Sequence, residues 1–172
     1  MRRSLFEPTI EGEARLLLLI HAFTTERGGL DGRTKLAKLD FFLRYPEFMQ
    51  RALAIRGSQL EPEPGLHTGS IEQGMVRYRY GPWDPAYFAI LGRLQGKGLI
   101  ETRPGRRGAL AYRTSSEGAR IADALVSTES WAPVGHATAQ LRRHLDLTGS
   151  NLKRFIYEHF PEVTAARWGQ SL

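Results

Sequence analysis

Apolar residues recur with helical spacing near the start of the chain. Leu16, Leu19, Ile20 and Phe23 fall at positions i, i+3, i+4 and i+7, so they would line one face of a helix over about residues 13–24. Two consecutive glycines shortly afterwards indicate that this helix has ended. The pattern predicts a first helix with a single buried face.

The segment DGRTKLAKLDFFLRYP, residues 31–46, predicts a second helix. Thr34 is placed to cap its N-terminus, and Lys35 and Lys38 are expected to lie away from the core. Its proline ends this helix or begins a third one over about residues 47–55. The core face of the second helix is expected to consist of apolar residues at helical spacing: Leu36, Leu39, Phe42 and Leu43.

A long segment without apolar periodicity follows. Residues 57–70 are rich in glycine, proline and serine, which predicts a loop long enough to be mobile or functional. Beyond it, Arg77 and Arg79 alternate with Val and Tyr in the stretch VRYRY, residues 76–80. This period of two predicts an extended segment. Its tyrosines either face a core or form, with the arginines, a strip that grips nucleic acid.

The third main helix is predicted over residues 84–95. Asp84 is suited to cap it, and the next residue is a proline, whose missing N–H costs nothing in the first turn. Base edges are usually read by Arg, Lys, Asn or Gln; here we take only Arg93 and Lys97 as suitable, and both come late. We therefore expect any DNA contact to be with the backbone. The exposed N-terminal positions are expected to be Trp83, Asp84, Ala86 and Ala89.

A β-hairpin with a basic turn is predicted directly after this helix. Residues 99–102 and 109–113 would form its strands, and PGRRG would supply the turn between them. Thr114 and Glu117 then have the spacing of a capping box, which would begin a helix that ends near Val126. Arg106 and Arg107 lie at the tip of the hairpin, where they would touch DNA, another protein or only water.

Two further helices are predicted near the end of the chain, over about residues 135–145 and 150–162. The second carries an apolar stripe that either packs on the core of the protein or is exposed as a docking surface for a partner. As a partner-binding surface, it would consist of Leu152, Phe155, Ile156, Tyr157 and Phe160.

The order of the predicted elements indicates the fold class. Three helices followed by strand, basic turn, strand and helix is the winged-helix order, a helix-turn-helix variant whose wing is a β-hairpin. We expect a mainly α protein with a small β-hairpin. Residues 1–128 would form a winged helix-turn-helix core, and residues 129–172 a C-terminal helical extension of the same compact unit.

The positive charge of the chain is concentrated around the hairpin. The net charge is +6, and residues 76–115 contain eight basic and two acidic residues, so this segment accounts for the whole excess. A local basic patch indicates a polyanionic partner; the alternative is that twenty arginines against four lysines reflect a compositional bias of the source. The candidate DNA-binding residues are Arg77, Arg79, Arg93, Arg103, Arg106, Arg107 and Arg113.

Several classes of function are disfavoured by what the sequence lacks. The chain has no cysteine, its five histidines have no metal-ligand spacing, and it has no phosphate loop, nucleophile elbow or zinc-protease motif. We therefore expect no enzymatic activity and no metal or other cofactor. The most apolar run, residues 14–23, is too short to span a bilayer, so a cytoplasmic location without membrane contact is expected.

Longer segments of the chain resemble a known family. They are GRTKLAKLDFFLRYP, MVRYRYGPWDPAYFAILGRLQGKGLIE and NLKRFIYEHFPEV. In these segments the chain resembles the middle component of ABC-three-component systems, a group that includes the middle subunit of Lamassu-type anti-phage defence. The resemblance extends from about Gly32 to Val163, and RYRYGPWD and FIYEHFPE are its most specific parts.

The resemblance implies a small non-catalytic subunit. It would work between an SMC-like or Rad50-like ATPase and a separate effector, often a nuclease. Such complexes sense foreign or broken double-stranded DNA, and the middle subunit would bind near the ATPase and help to hold the effector inactive. The resemblance brings no catalytic residues with it.

Two other functions fit the same pattern. A stand-alone winged-helix transcription regulator would be dimeric and would bind a palindromic site selectively. An antitoxin-like protein would neutralise a toxin by direct contact, and the short elements KLAKLDFF and YGP are also similar to those of some antitoxin-type proteins.

Overall fold

The computed structural model describes residues 7–57, 75–78, 81–170 and 172. This part of the chain is mainly helical with a small antiparallel sheet, so the predicted fold class is confirmed at that level. The winged helix-turn-helix arrangement within it stays a prediction. The helices are α1 (Ile10–Phe23), α2 (Gly32–Arg44), α3 (Pro46–Ile55), α4 (Tyr87–Gly96), α5 (Ser116–Val126), α6 (Ala132–His144), α7 (Gly149–His159) and α8 (Pro161–Ala165).

The described strands form two small antiparallel sheets. One sheet has the order β1-β5-β4, and the other pairs β2 with β3. The predicted hairpin is therefore confirmed as β4 and β5, and the predicted extended segment is confirmed as far as Tyr78. The strands are β1 (Leu30–Asp31), β2 (Val76–Tyr78), β3 (Gly81–Trp83), β4 (Ile100–Pro104) and β5 (Leu110–Thr114).

A glycine allows β1 to lie directly against the hairpin. A Cβ atom at Gly29 would come within 2.1 Å of the carbonyl oxygen of Tyr112, so a larger residue would force the two backbones apart. Leu30 is opposite Tyr112, and Asp31 is opposite Ala111. Since α2 begins at the next residue, this pairing holds the start of α2 beside the hairpin.

Helix α1 lies at the centre of the core. All five residues from Leu16 to Ile20 are buried, as is Phe23. The predicted single apolar face is therefore too narrow, because a helix that is apolar all round is enclosed on every side. Helices α2, α4, α5 and α6 and strand β5 pack around α1.

Helix α2 is also enclosed, and this corrects two predictions. Lys35 and Lys38 are buried rather than turned away from the core, because α1, α3, α6, α7 and β3 surround the helix on all sides. Thr34 lies inside the helix and does not cap it, since the residue before the first turn is Asp31. The expected core residues Leu36, Leu39, Phe42 and Leu43 are all fully buried.

The apolar stripe on α7 packs on the protein's own core, so the prediction that it docks a partner is wrong. Leu152, Ile156 and Phe160 are fully buried, Phe155 is 8% exposed and Tyr157 is half-buried. The ring centroid of Phe160 lies 5.9 Å from that of Phe42 on α2 and 5.4 Å from that of Phe48 on α3. Side chains of both predicted segments, 1–128 and 129–172, thus contribute to the same core.

Two predicted helix starts differ from the structure. Helix α4 begins at Tyr87, although the Asp84 carboxylate accepts a hydrogen bond from the Ala86 N–H (2.8 Å) and also binds Arg44. Helix α5 is capped by Ser115, whose hydroxyl accepts from the Gly118 N–H. Thr114 is buried and bonds to Thr24 instead.

Candidate nucleic-acid interface at the hairpin

The tip of the β4–β5 hairpin is a short, well-defined turn. The Gly105 N–H donates to the carbonyl of Ala109 (2.7 Å), and residues 106–108 between them form one 3₁₀ turn. The backbone N–H of Arg106 donates to the Asp31 carboxylate (3.3 Å), which fixes the tip against β1. The side chains of Arg106 and Arg107 are exposed at this tip.

Arg107 adopts an unusual backbone conformation. Its φ and ψ angles are 54° and 35°, in the left-handed region, and among the described residues it is the one non-glycine with positive φ. This conformation costs roughly 1–2 kcal/mol for a residue with a Cβ atom. Glycine or asparagine would relieve this cost, so the presence of arginine favours a role for its side chain.

The remaining candidate arginines of the hairpin differ in their solvent exposure and in their contacts within the protein. Arg103 is 56% exposed, with a long contact of 3.7 Å to Glu101. Arg113 is only 17% exposed, and it bonds to the carbonyl of Glu26 (3.3 Å) while lying 3.5 Å from Glu101. The exposed positive charge therefore belongs to Arg103, Arg106 and Arg107, which we call the tip arginines.

The basic residues of α4 turn towards α1. Arg93 lies 3.4 Å from the buried carboxylate of Glu13, and Lys97 forms an ion pair with the same group. Asp84 and Ala86, which were expected to be exposed, are buried. The other exposed residues of α4 are Phe88, Ala89, two glycines and, near the end of the helix, Gln95, which alone among them can donate hydrogen bonds to base edges.

Arg77 is engaged with the end of the chain. Its guanidinium donates to the carbonyl of Ala166, and its backbone bonds to Gly169 and Gln170. These contacts tie β2 to the C-terminal segment rather than presenting Arg77 to a ligand. Arg79, Tyr80 and all but the first residue of the predicted 57–70 loop lie outside the described residues.

A cleft lies beside the hairpin tip, and sequence reasoning missed it. It has a volume of about 390 Å³, within the range of small-molecule sites. Counting charges along a continuous stretch of sequence could not reveal the cleft, because its cations come from four separate elements: the α1–β1 loop, α2, the hairpin tip and α6. The charged residues that line it are Arg27, Asp31, Lys35, Arg106, Arg142 and Asp146.

The positive charges of the cleft are close enough to disfavour one another. The Lys35 ammonium donates to Asp146 (2.5 Å), which also binds Arg142. The pKa of Lys35 is lowered from 10.5 to about 8, mainly by burial and in part by Arg142 and Arg106, against the opposing effect of Asp31. The two carboxylates therefore do not neutralise the cleft.

A second charged cluster lies deep in the core and connects α1, α2 and the start of α4. Asp40 accepts hydrogen bonds from Arg15 Nε (2.6 Å) and from the Tyr87 hydroxyl (2.7 Å). Arg44 lies 3.6 Å from Asp40 and bonds to Asp84 at 2.5 Å. Burial alone would raise the pKa of Asp40, but Arg15 and Arg44 outweigh burial and hold it below its ordinary value.

This core cluster, Arg15, Asp40, Arg44, Asp84 and Tyr87, orients α4 rather than forming a reaction centre. Each member is at least 90% buried. None of them lines the cleft beside the hairpin. The cluster fixes the β3–α4 junction, and thereby the base of the hairpin that follows.

Neither a metal site nor a membrane-spanning helix is found in the described part of the chain. No group of three or more His, Asp or Glu side chains there is placed to hold a metal ion. No described helix has the length and apolar character needed to cross a bilayer. No protein family, curated protein or solved structure matches the chain.

Proposed function

We propose that the protein is a non-catalytic accessory subunit that contacts the phosphate backbone of double-stranded DNA through the tip arginines. The observation that carries this proposal is the exposed tip itself, where Arg107 is retained in a left-handed conformation. Arginines in an open, glycine-flanked turn reach phosphates with little steric hindrance. The hairpin would act as the wing of a winged helix, and could enter a minor groove, where the negative potential favours arginine.

The outer face of α4 favours backbone contact over sequence reading. Its two suitable basic residues are paired with Glu13, and apart from Gln95 near its end it exposes apolar and small residues. A stand-alone operator-binding regulator would need base-reading side chains on this helix. The scarcity of such side chains on α4 favours an accessory subunit over a regulator. In this proposal the protein binds DNA without sequence specificity.

The partners in this proposal come from the family resemblance: an SMC-like ATPase and a nuclease-type effector. Because the α7 stripe is buried, docking would use other exposed apolar residues, such as Leu110 on the hairpin and Phe88 on α4. Co-expression of the tagged chain with its neighbouring genes should yield a stable complex with a large ATPase on size-exclusion chromatography. A lone dimer that selectively binds its own promoter would instead identify a regulator.

Changing Arg106 and Arg107 to alanine should weaken binding to a blunt duplex about tenfold at low salt, since two phosphate contacts are lost. The slope of log K against log salt should flatten by up to roughly 0.9 for each lost contact. Fluorescence anisotropy at several salt concentrations measures both quantities. The fold should be unaffected, because both side chains are exposed.

The matched control replaces Arg154 and Arg167 with alanine. Both are exposed and away from the hairpin, and the change in net charge is the same. The control should keep most of the affinity and the original salt slope. Equal losses in the two double variants would mean that only net charge matters, and the tip would have no special part in DNA binding.

A further inference from the structure

The cleft beside the hairpin carries an excess of positive charge that converges from different parts of the chain. Four cations, Arg27, Lys35, Arg106 and Arg142, face two carboxylates, Asp31 and Asp146. The formal charge of the lining is therefore +2. A partly open cleft with such an excess attracts an anion, because the surrounding protein screens the charges less than water does.

The two carboxylates are already occupied. Asp146 binds Lys35 and Arg142, and Asp31 accepts from the backbone N–H of Arg106. In the described part of the chain, no hydrogen bond or ion pair engages the guanidinium groups of Arg27 or Arg106. These two groups at the mouth are free to bind a ligand.

The floor of the cleft is built to hold its cations in place. The Phe23 ring is buried, with the Lys35 ammonium 5.1 Å and the Arg142 guanidinium 5.4 Å from its centroid. Cations over an aromatic face are held without loss of their charge. Lys35 is 6% exposed, so its side chain lies within the cleft rather than extending into solvent.

We propose that this cleft binds a terminal phosphate group, a phosphomonoester dianion. Its two negative charges match the +2 excess, and guanidinium groups bind phosphate oxygens through paired hydrogen bonds. The volume of about 390 Å³ accommodates a mononucleotide. A phosphate of this kind occurs on a free nucleotide and at the 5′ end of a nucleic-acid strand. The proposal does not depend on duplex binding by the tip arginines.

The test uses isothermal titration of the full chain with AMP, with adenosine as the ligand that lacks the phosphate. AMP should bind and adenosine should not. Changing Arg27 and Arg142 to glutamine should weaken AMP binding at least about tenfold, because one free guanidinium at the mouth and one positive charge of the floor are lost. The control variant, Arg154→Gln with Arg167→Gln, should bind AMP as the wild type does. Failure of AMP to bind, or equal binding by both variants, would overturn the proposal.

A misfolded variant would imitate the expected result, so thermal unfolding provides a second measurement. AMP should raise the midpoint of the wild type and of the control but not that of the cleft variant. A short single strand with and without a 5′-phosphate distinguishes the two sources. Tighter binding of the phosphorylated strand than of AMP identifies a strand end, and equal affinities identify a free nucleotide.

The tip and the cleft can be separated because Arg107 does not line the cleft. Arg107→Ala should weaken binding to a duplex with unphosphorylated ends and leave AMP binding unchanged. The variant with Arg27→Gln and Arg142→Gln should weaken AMP binding and leave binding to that duplex unchanged. Loss of AMP binding in Arg107→Ala would mean that AMP binds at the tip, which would contradict the cleft site while leaving DNA contact intact.

Discussion

Replacing Asp40 with alanine should destabilise the fold by about 3–5 kcal/mol, because it leaves buried charge without its partner. Arg15 is 2% exposed and makes its two side-chain hydrogen bonds to Asp40. Arg44 would keep its bond to Asp84, so most of the cost arises at Arg15. Denaturation by urea, followed by circular dichroism, measures the loss of unfolding free energy.

A second substitution shows whether the loss comes from the uncompensated charge. Adding Arg15→Met to Asp40→Ala should recover part of the stability, because the buried guanidinium is removed together with its partner. Glu117→Gln is the control, since Glu117 belongs to an exposed pair with Arg120 and the substitution should leave stability unchanged. A loss below about 1 kcal/mol for Asp40→Ala would show that the cluster does not hold α1, α2 and α4 together.

Replacing Lys38 with methionine should stabilise the protein at low pH. The Lys38 ammonium is 1% exposed, and its bond to the Pro82 carbonyl is long, at 3.5 Å. Burial, aided by the positive charge of Lys153, lowers the pKa of Lys38 from 10.5 to about 7. Each pKa unit corresponds to about 1.4 kcal/mol. Allowing for the lost bond to Pro82, we expect a gain of about 2–4 kcal/mol at pH 6.

The gain should depend on pH in a defined direction. Because the folded protein binds this proton more weakly than the unfolded chain does, wild-type stability should rise as the pH increases from about 7 to 10.5. The Lys38→Met variant lacks this contribution, so its advantage should fall below about 1 kcal/mol at pH 10. Lys35 contributes a similar rise in both proteins and cancels in the comparison. Lys38→Arg keeps the charge and should show no gain; a gain in that variant would refute the explanation by charge burial.

The burial of α2 illustrates what the sequence could not reveal. Its apolar positions were predicted correctly, because helical periodicity directly reports one buried face. Asp40 and Arg44, however, have the i, i+4 spacing of a solvated surface pair. The other partner of Asp40, Arg15, is 25 residues away. Enclosure of the helix on its other faces depends on segments that are distant in sequence, so local patterns cannot predict it.

The hairpin could likewise be predicted from the sequence, whereas the cleft beside it could not. Its strands and turn were predicted from local signals, namely glycine, proline and the short β-rich segments on either side. The cleft beside it depends on the approach of β1 to β5 and on the packing of α6 against α1. No local sequence pattern therefore indicated Arg27 or Arg142 as site residues. Arg93 and Arg77, which lie in the basic segment and were predicted to bind DNA, instead bind groups within the protein.

We propose that the hairpin tip is the part of the protein that touches DNA. An NMR titration of the ¹⁵N-labelled chain with a short blunt duplex of arbitrary sequence tests it directly, because each backbone amide reports its own surroundings. We expect the largest chemical-shift changes at residues 103–110 and only small changes along α4. Shifts centred on the exposed face of α4, or no shifts at the tip when the duplex is bound, would contradict it.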